Sequence, residues 1–253
     1  RRAAAYRAYW ENQPLRTPQQ PEGPDMQLYR RLHFGRLAQF DILDTRQYRS
    51  NQVQGANWQV PGAESKDPKR TMTGETQERW LLDGWKRSDA TWNLLAQQVT
   101  FAQRRDVPRA DFKLSMDAWD GYTASRTRVL NGAKAAGLDN LMVLTGDVHA
   151  GYGFDLKDFD DPNSPVVGTE IATTSVSSDM DGAEKPSNWS NLTSANPHMK
   201  YYNGRRGYTT FTLTEDRATV TFNTLTAVTK PGSGLTRAAS FVTEAGNPEL
   251  KPA

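Results

Sequence analysis

The order of apolar and polar positions predicts alternating strands and helices through the middle of the chain. Residues 141–144 form a continuous apolar run, which is typical of a strand buried on both faces. Residues 74–87 space their tryptophans and leucines as the stripe of an amphipathic helix, with Thr73 as its N-cap. A strand is predicted within residues 91–101 and a helix over 123–136. This alternation favours α/β layering.

The flanking regions show the alternation of antiparallel pairs. Residues 28–34 and 37–43 predict a hairpin through Gly35, and residues 208–213 and 218–222 predict a second hairpin.

Three other patterns complete the prediction. Residues 1–10 have a helical pattern, and residues 166–172 predict a further strand. Residues 50–73 lack periodicity, which predicts a long excursion over the surface.

Composition narrows the class of protein. The 253 residues carry 31 basic and 29 acidic side chains, so bulk charge indicates neither a nucleic-acid surface nor a membrane surface. No run approaches the roughly 18 apolar residues of a transmembrane segment. Cysteine is absent, which excludes disulfides and thiolate sites within these residues.

The strongest candidate chemistry follows the apolar run at 141–144. The chain turns at Gly146 and then presents Asp147 and His149, separated by one residue. Open α/β sheets keep their sites at the carboxyl ends of strands, and paired Asp oxygen and His nitrogen suit metals of intermediate hardness. The alternative is a polar turn in which Asp147 caps the backbone and His149 lies on the surface.

Two further loops carry candidate side chains. Residues 44–49 end a predicted strand, and Arg46 and Arg49 in this loop could bind anions. His198 follows Asn196 and Pro197, whose ring restrains the backbone just before the imidazole. A structural or solvent-facing role for His198 is the alternative.

Two other classes of protein compete with a metal enzyme. A carboxyl-ester lipase would need a nucleophile elbow, and no G-x-S-x-G occurs. A non-enzymatic β-rich binding module would explain the seven Trp and nine Tyr, but it would leave Asp147 and His149 idle.

Segments across nearly the whole chain resemble the PhoD-type alkaline phosphatases, a metallophosphoesterase family that includes a secreted phospholipase D. The matching segments are AAAYRAYWENQPLR (3–16), LYRRLHFGRLAQFDILDTRQYRS (28–50), GETQERWLLDGWKRSDATWNLLAQQV (74–99), DAWDGYTASRTRVL (117–130), VLTGDVHAG (143–151) and NPHMKYYNGRRGYTTFTLT (196–214).

The resemblance implies an α/β (mixed α+β) fold in which two mixed sheets form a sandwich flanked by helices. It implies an exported enzyme that uses iron and calcium to hydrolyse phosphate monoesters and diesters, including phospholipids, through a metal-activated water or hydroxide. Neither a nucleic-acid partner nor a transmembrane segment is expected.

The resemblance also assigns residues. Asp147 and His149 match the family's Gly-Asp-x-His motif as metal ligands or catalytic residues, with His149 either a ligand or the acid that protonates the leaving alkoxide. Arg46 and His198 lie in matching loops as phosphate or metal contacts. Asp120 belongs to a matching Trp-Asp motif without an assigned role, and helix capping is its alternative.

The family's earlier metal-binding motifs, which include a ligating cysteine, do not occur here. Residues 1–230 are therefore expected to be the C-terminal portion of a catalytic domain, with 231–253 as a tail or closing strand. We expect activity to require the N-terminal portion as a separate chain. Without it, the central strands are expected to expose apolar faces.

Overall fold

The computed structural model describes residues 1–161 and 163–253. Within them the chain forms four α-helices, two 3-10 helices and thirteen strands. The α-helices are α1 (Arg2–Asn12), α2 (Gly74–Trp85), α3 (Thr123–Ala135) and α4 (Trp189–Ala195), and the 3-10 helices are Thr17–Gln19 and Trp119–Tyr122. The strands are β1 (Arg30–Phe34), β2 (Ala38–Ile42), β3 (Trp58–Gln59), β4 (Trp92–Ala96), β5 (Leu114–Ser115), β6 (Leu141–Thr145), β7 (Gly151–Leu156), β8 (Gly168–Ala172), β9 (Met199–Asn203), β10 (Gly207–Leu213), β11 (Arg217–Leu225), β12 (Leu235–Glu244) and β13 (Asn247–Pro252).

A seven-stranded mixed sheet forms the centre, in the order β1-β2-β4-β6-β8-β7-β9. β2, β4, β6, β8 and β9 point in one direction, and β1 and β7 point in the other. The carboxyl ends of the five co-directional strands therefore share one edge of the sheet. The predicted β1–β2 hairpin and the predicted strands β4, β6 and β8 are confirmed.

Apolar layers cover both faces of the central sheet. The four-stranded sheet β10–β13 packs Val220 and Phe241 against one face, where they join Leu94 and Met142 in a single cluster. Helices α2 and α3 pack against the opposite face. The expected sandwich of two sheets with flanking helices is confirmed, but only the central sheet is mixed: the four-stranded sheet is antiparallel throughout.

The central strands are buried on both faces within this chain. Leu94 and Leu95 are neighbours in β4 that point to opposite faces, and they are 2% and 0% exposed. The expectation of exposed apolar faces is therefore wrong, because the four-stranded sheet covers one face and the helices cover the other. Exposed large side chains lie at the periphery instead, such as Tyr9 on α1 and Phe34 on β1.

The start of α2 is held by Thr71 and not by the predicted N-cap, Thr73. Thr71 Oγ1 accepts hydrogen bonds from the backbone N–H groups of Thr73 (3.2 Å) and Gly74 (2.8 Å). The Thr73 side chain makes no capping hydrogen bond. Met72, in this turn, is fully buried in the core. The surface segment predicted over residues 50–73 therefore ends in the core just before α2 begins.

Five strands were not predicted: the short pair β3 and β5, and the longer strands β7, β9 and β13. β7 has glycine at 151 and 153, and β13 contains Pro248, and both residue types favour loops when read locally. At Gly153 an added Cβ would lie 2.6 Å from a Leu250 side-chain atom, so the glycine lets β13 pack closely against β7. β12 and β13 extend the second sheet, and the division of the chain at residue 230 stays a prediction.

A buried carboxylate, Glu170 on β8, connects the sheet to the loop after β4. Its two oxygens accept hydrogen bonds from the backbone N–H groups of Phe101 (2.8 Å) and Ala102 (2.7 Å). The Thr145 hydroxyl at the end of β6 also donates to Glu170 (2.6 Å), and Gln97 donates to that hydroxyl (2.6 Å). This network fixes the carboxyl edge of the sheet.

Among the described residues, no helix has the length and apolar character needed to cross a bilayer.

Replacing this carboxylate should destabilise the fold. In Glu170→Gln the amide NH₂ must face a backbone N–H donor, since both carboxylate oxygens are acceptors in the native protein. We expect the free energy of unfolding, measured in urea, to fall by about 2 kcal/mol. Glu215→Gln, in the exposed β10–β11 turn, is the matched control and should change it by less than about 0.5 kcal/mol. Equal effects of the two substitutions would contradict this account.

Candidate active site

Asp147 and His149 lie in a strained turn at the carboxyl end of β6. Both residues have positive φ angles, 69° and 49°, which are unusual for residues with side chains. Each such residue costs on the order of 1 kcal/mol, and the conformation persists only where the surroundings enforce it. Both side chains are nearly half exposed, so the turn presents a carboxylate and an imidazole to solvent at the sheet edge.

A buried arginine, Arg206, holds this turn from behind. It is 3% exposed, and it donates to the backbone carbonyls of His149 (2.6 Å), Gly204 (2.5 Å) and Ser178. Arg206 follows the carboxyl end of β9, so the sheet order brings it to the same edge as β6. Sequence reasoning did not single it out, although it lies in the resembling segment 196–214.

The imidazole of His149 is oriented by a carboxylate from a distant loop. Nδ1 of His149 lies 2.5 Å from Oδ2 of Asp179, and Nε2 has no hydrogen-bond partner among the described residues. The hydrogen bond and the charge of His149 lower the pKa of Asp179 below its usual value. A carboxylate on one ring nitrogen with the other nitrogen free is the usual arrangement around a metal-binding histidine.

Arg46 reaches Asp147 from the loop after β2. Its Nη2 lies 3.7 Å from Oδ1 of Asp147, and its Nη1 donates to both oxygens of Asp117 (3.0 and 3.1 Å). Arg49 donates to Asp117 as well (2.7 Å). Partial burial of Asp117 acts to raise its pKa, but the hydrogen bonds from Arg49 and Arg46 outweigh it, and the pKa is lowered. Asp117 therefore stays ionised and holds Arg46 beside Asp147.

Asp147 and Asp117 also line a cavity of about 150 Å³. Trp58 and Arg104 form other parts of its wall. The wall of the cavity thus combines carboxylates with an aromatic and a cationic side chain.

His198 lies elsewhere in the molecule. It precedes β9, whose other end pairs with Gly151 beside the strained turn, so it lies toward the opposite edge of the sheet. Its side chain is buried against Phe154 and Phe159, and its Nε2 is 2.7 Å from the carbonyl oxygen of Gln103. The structure therefore does not bring His198 together with Asp147 and His149.

Asp120, in the Trp-Asp motif without an assigned role, is a buried structural residue. Its Oδ1 accepts a hydrogen bond from Arg126 (2.6 Å), and its Oδ2 accepts one from the backbone N–H of Arg104 (3.1 Å). The expected alternative, capping of α3, is wrong, since the helix begins after Tyr122 without a side-chain cap.

The donor set of the turn fits part of a metal site. Asp147 offers oxygen and His149 offers a nitrogen already oriented by Asp179, which suits a metal of intermediate hardness. Within residues 1–161 and 163–253, no group of three or more His, Cys, Asp or Glu side chains is arranged to hold a metal. The described residues therefore supply an incomplete ligand set.

Comparison with known proteins gives consistent matches. The model of the family described as PhoD-like phosphatase matches residues 1–222. The chain is 44% identical over 243 residues to alkaline phosphatase D of Bacillus subtilis (strain 168). This alignment covers 96% of the present chain and 42% of the Bacillus protein. The solved "Structure of PhoD" superposes with a TM-score of 0.96 at 42% identity, covering 100% of this chain and 48% of the other. The chain thus spans less than half the length of these relatives.

Removing the arginine behind the turn should destabilise the protein strongly. Arg206→Met leaves the carbonyls of His149, Gly204 and Ser178 without their donor, so we expect the free energy of unfolding in urea to fall by about 2–4 kcal/mol. Arg205→Met, at the neighbouring and less buried arginine, is the control and should cost under about 1 kcal/mol. A smaller loss for Arg206→Met than for the control would refute the role given to Arg206.

Burial of His198 should make stability depend on acidity. Burial lowers the pKa of His198 from 6.5 to about 4, so between these values the unfolded chain binds a proton that the folded protein excludes. The stabilisation is complete above pH 6.5 and should decline as the pH falls toward 4, by at most about 3 kcal/mol. Urea unfolding of the wild type and His198→Gln at pH 7.5 and 4.5 measures this decline.

The control for this titration is His33→Gln, because His33 is exposed on β1. We expect the decline in stability to be smaller in His198→Gln than in the wild type and unchanged in His33→Gln. The same decline in all three proteins would show that groups other than His198 cause the acid sensitivity.

Proposed function

Because the chain belongs to the PhoD-like phosphatase family, we propose that the turn of Asp147 and His149 is part of a metal-dependent site that hydrolyses phosphate esters. The observation that carries the proposal is the arrangement of this turn: a carboxylate and a carboxylate-oriented imidazole on positive-φ backbone, with Arg46 beside them. Family membership disfavours the non-enzymatic binding module, in which this arrangement would have no use.

Asp147 and His149 would hold the metal, and Asp179 would keep the imidazole in the orientation that directs Nε2 outward. When bound, a metal polarises a phosphoryl oxygen and lowers the pKa of a water molecule. We propose iron and calcium, on the basis of the family resemblance. Since the described ligand set is incomplete and the relatives are more than twice as long, we propose that the other ligands come from polypeptide outside these 253 residues.

Arg46 is placed to act on the substrate. Its Nη1 is bonded to Asp117, while its Nη2 extends toward Asp147 without a close hydrogen bond to it. A guanidinium in this position would donate to the non-bridging oxygens of a phosphoryl group, on which negative charge increases during transfer. Asp117 and Arg49 would keep that guanidinium from collapsing onto Asp147.

His149 has two possible roles, metal ligand and proton donor to the leaving alkoxide, and both use the same atom. Asp179 occupies Nδ1, so only Nε2 is free. We favour the ligand role, because the Asp179 carboxylate on Nδ1 increases the basicity of the imidazole and thereby strengthens metal binding at Nε2. The substrates we propose are phosphate monoesters and diesters, phospholipids included, and by family resemblance the enzyme would act outside the cytoplasm.

The test is metal analysis combined with phosphoesterase assays on the protein as isolated, with an intact-mass measurement for a second polypeptide. We expect iron and calcium to be present, with hydrolysis of p-nitrophenyl phosphate or bis(p-nitrophenyl) phosphate. His149→Ala should lower kcat/KM by about 100-fold or more and reduce the metal content. His33→Ala, at an exposed histidine on β1, should change neither.

Two results would overturn the proposal. Absence of metal and of activity from protein in which the intact-mass measurement finds the second polypeptide would remove the metal-dependent site. Undiminished metal content and kcat/KM in His149→Ala would separate the turn from catalysis. Full activity of the 253-residue chain alone would disprove the part of the proposal that places ligands outside it.

A further inference from the structure

A second cavity of about 430 Å³ lies beside the cavity of Asp147 and is lined by unneutralised cations. We name it the Arg104 groove. Arg105 and Lys113 also line it, and Asp106 is the one carboxylate among the described lining residues. In the part of the chain that the structure describes, none of these three cations has a carboxylate within ion-pair distance. Arg104 and Arg105 pack against aromatic rings, and Arg105 also donates to Gln103 Oε1 (2.7 Å). These contacts leave the positive charges without a carboxylate to neutralise them, and like charges placed together repel one another.

The segment that carries the two arginines is fixed by three buried side chains. Asp120 accepts a hydrogen bond from the backbone N–H of Arg104 (3.1 Å). Asn196 accepts from the N–H of Arg105 and donates to its carbonyl, both at 2.9 Å. His198 bonds the carbonyl of Gln103, as described above. The backbone of residues 103–105 is therefore set before any ligand arrives, which lowers the entropic cost of binding.

The guanidinium of Arg104 packs against aromatic rings, and some of its N–H groups have no hydrogen-bond partner in the described part of the chain. Its central carbon lies 5.0 Å from the ring centroid of Trp58 and 5.5 Å from that of Tyr152. Nη1 donates to the Tyr152 hydroxyl (2.9 Å). No other hydrogen bond of the Arg104 guanidinium is found among the described residues. Nε is buried and makes no hydrogen bond. An arginine oriented in this way, without a carboxylate, is suited to bind an anion.

Arg104 and Trp58 line both cavities, so the groove opens beside the wall formed by Asp147. We propose that the Arg104 groove binds a second anionic group of the substrate, a phosphate or carboxylate on the alcohol part of the ester. The inference rests on the proposed function, because it takes the Asp147 cavity as the place of the reacting phosphoryl group. The preferred substrates would then be esters with two anionic groups.

The test compares three compounds with the same ring: phenyl phosphate, 4-carboxyphenyl phosphate and 1,4-phenylene bisphosphate. For compounds that the protein as isolated hydrolyses, KM values are compared. For compounds that it does not hydrolyse, dissociation constants are measured by titration calorimetry. We expect the second anionic group to tighten binding about tenfold, and high salt to reduce this gain. The two doubly anionic compounds distinguish a carboxylate from a phosphate as the preferred group.

Arg104→Gln should abolish the gain from the second anion, measured within that variant as the ratio of its affinities for the doubly anionic compounds and for phenyl phosphate. The ratio is used because Arg104 also lines the Asp147 cavity, so its substitution also affects phenyl phosphate. Arg36→Gln, at an arginine whose side chain is 84% exposed, is the matched control and should keep the gain. Lys113 is an exposed residue that lines the groove. Lys113→Gln should reduce the gain, and it provides a second test if Arg104→Gln does not fold.

The outcomes separate this proposal from the proposed function. Equal affinity for all three compounds, or an unchanged gain in both groove variants, would overturn the groove and leave the proposed function standing. No measurable binding of any of the compounds would overturn both. A gain that depends on Arg104 in a protein that hydrolyses none of the compounds would support the groove and count against hydrolysis.

Discussion

The carboxyl edge of the central sheet depends on one buried carboxylate. Glu170 lies on β8, and its hydrogen bonds connect it to the loop after β4 and to Thr145 at the end of β6. Burial raises the pKa of Glu170, while the donors from Phe101, Thr145 and Ala102 oppose the rise. Two backbone N–H groups that would otherwise be unpaired in the core are thereby satisfied. The three neighbouring strands β4, β6 and β8 thus end in a fixed relation, and the turn of Asp147 begins two residues beyond.

The same loop continues from the site to the Arg104 groove. Phe101 and Ala102 are bound by Glu170, and the next residues, 103–105, are bound by Asp120, Asn196 and His198. Each contact uses a buried polar side chain to satisfy loop backbone, which explains how an irregular segment can be as fixed as a strand. Residues 100–106 contribute to the walls of both cavities, so this well-bonded segment helps to set their relative positions.

Much of the framework could be predicted from the sequence because its signals are local. The apolar run at 141–144 indicates a strand buried on both faces, and the alternation in 208–222 indicates strands buried on one face. The Gly-Asp-x-His motif follows the first of these runs directly, so Asp147 and His149 were expected at a strand end, where the structure has them. β7 and β13 could not be predicted, because their glycine and proline residues favour loops when read locally. In the structure Gly153 allows β13 to approach β7 closely, and Pro248 lies in an edge strand. The role of His198 was equally inaccessible, since the aromatic rings that bury it come from residues about 40 positions away.

The residues around the turn were missed for a related reason. Asp179 is 30 positions from His149, and Arg206 is 57 positions from it, so no periodicity connects them. Arg206 donates to backbone carbonyls and to the Ser175 hydroxyl, so no charge pair marks it in the sequence either. Yet these two residues decide what the turn can do: Arg206 maintains its positive-φ backbone, and Asp179 leaves one ring nitrogen of His149 free. The local motif supplies the reactive groups, whereas long-range contacts make them into a site.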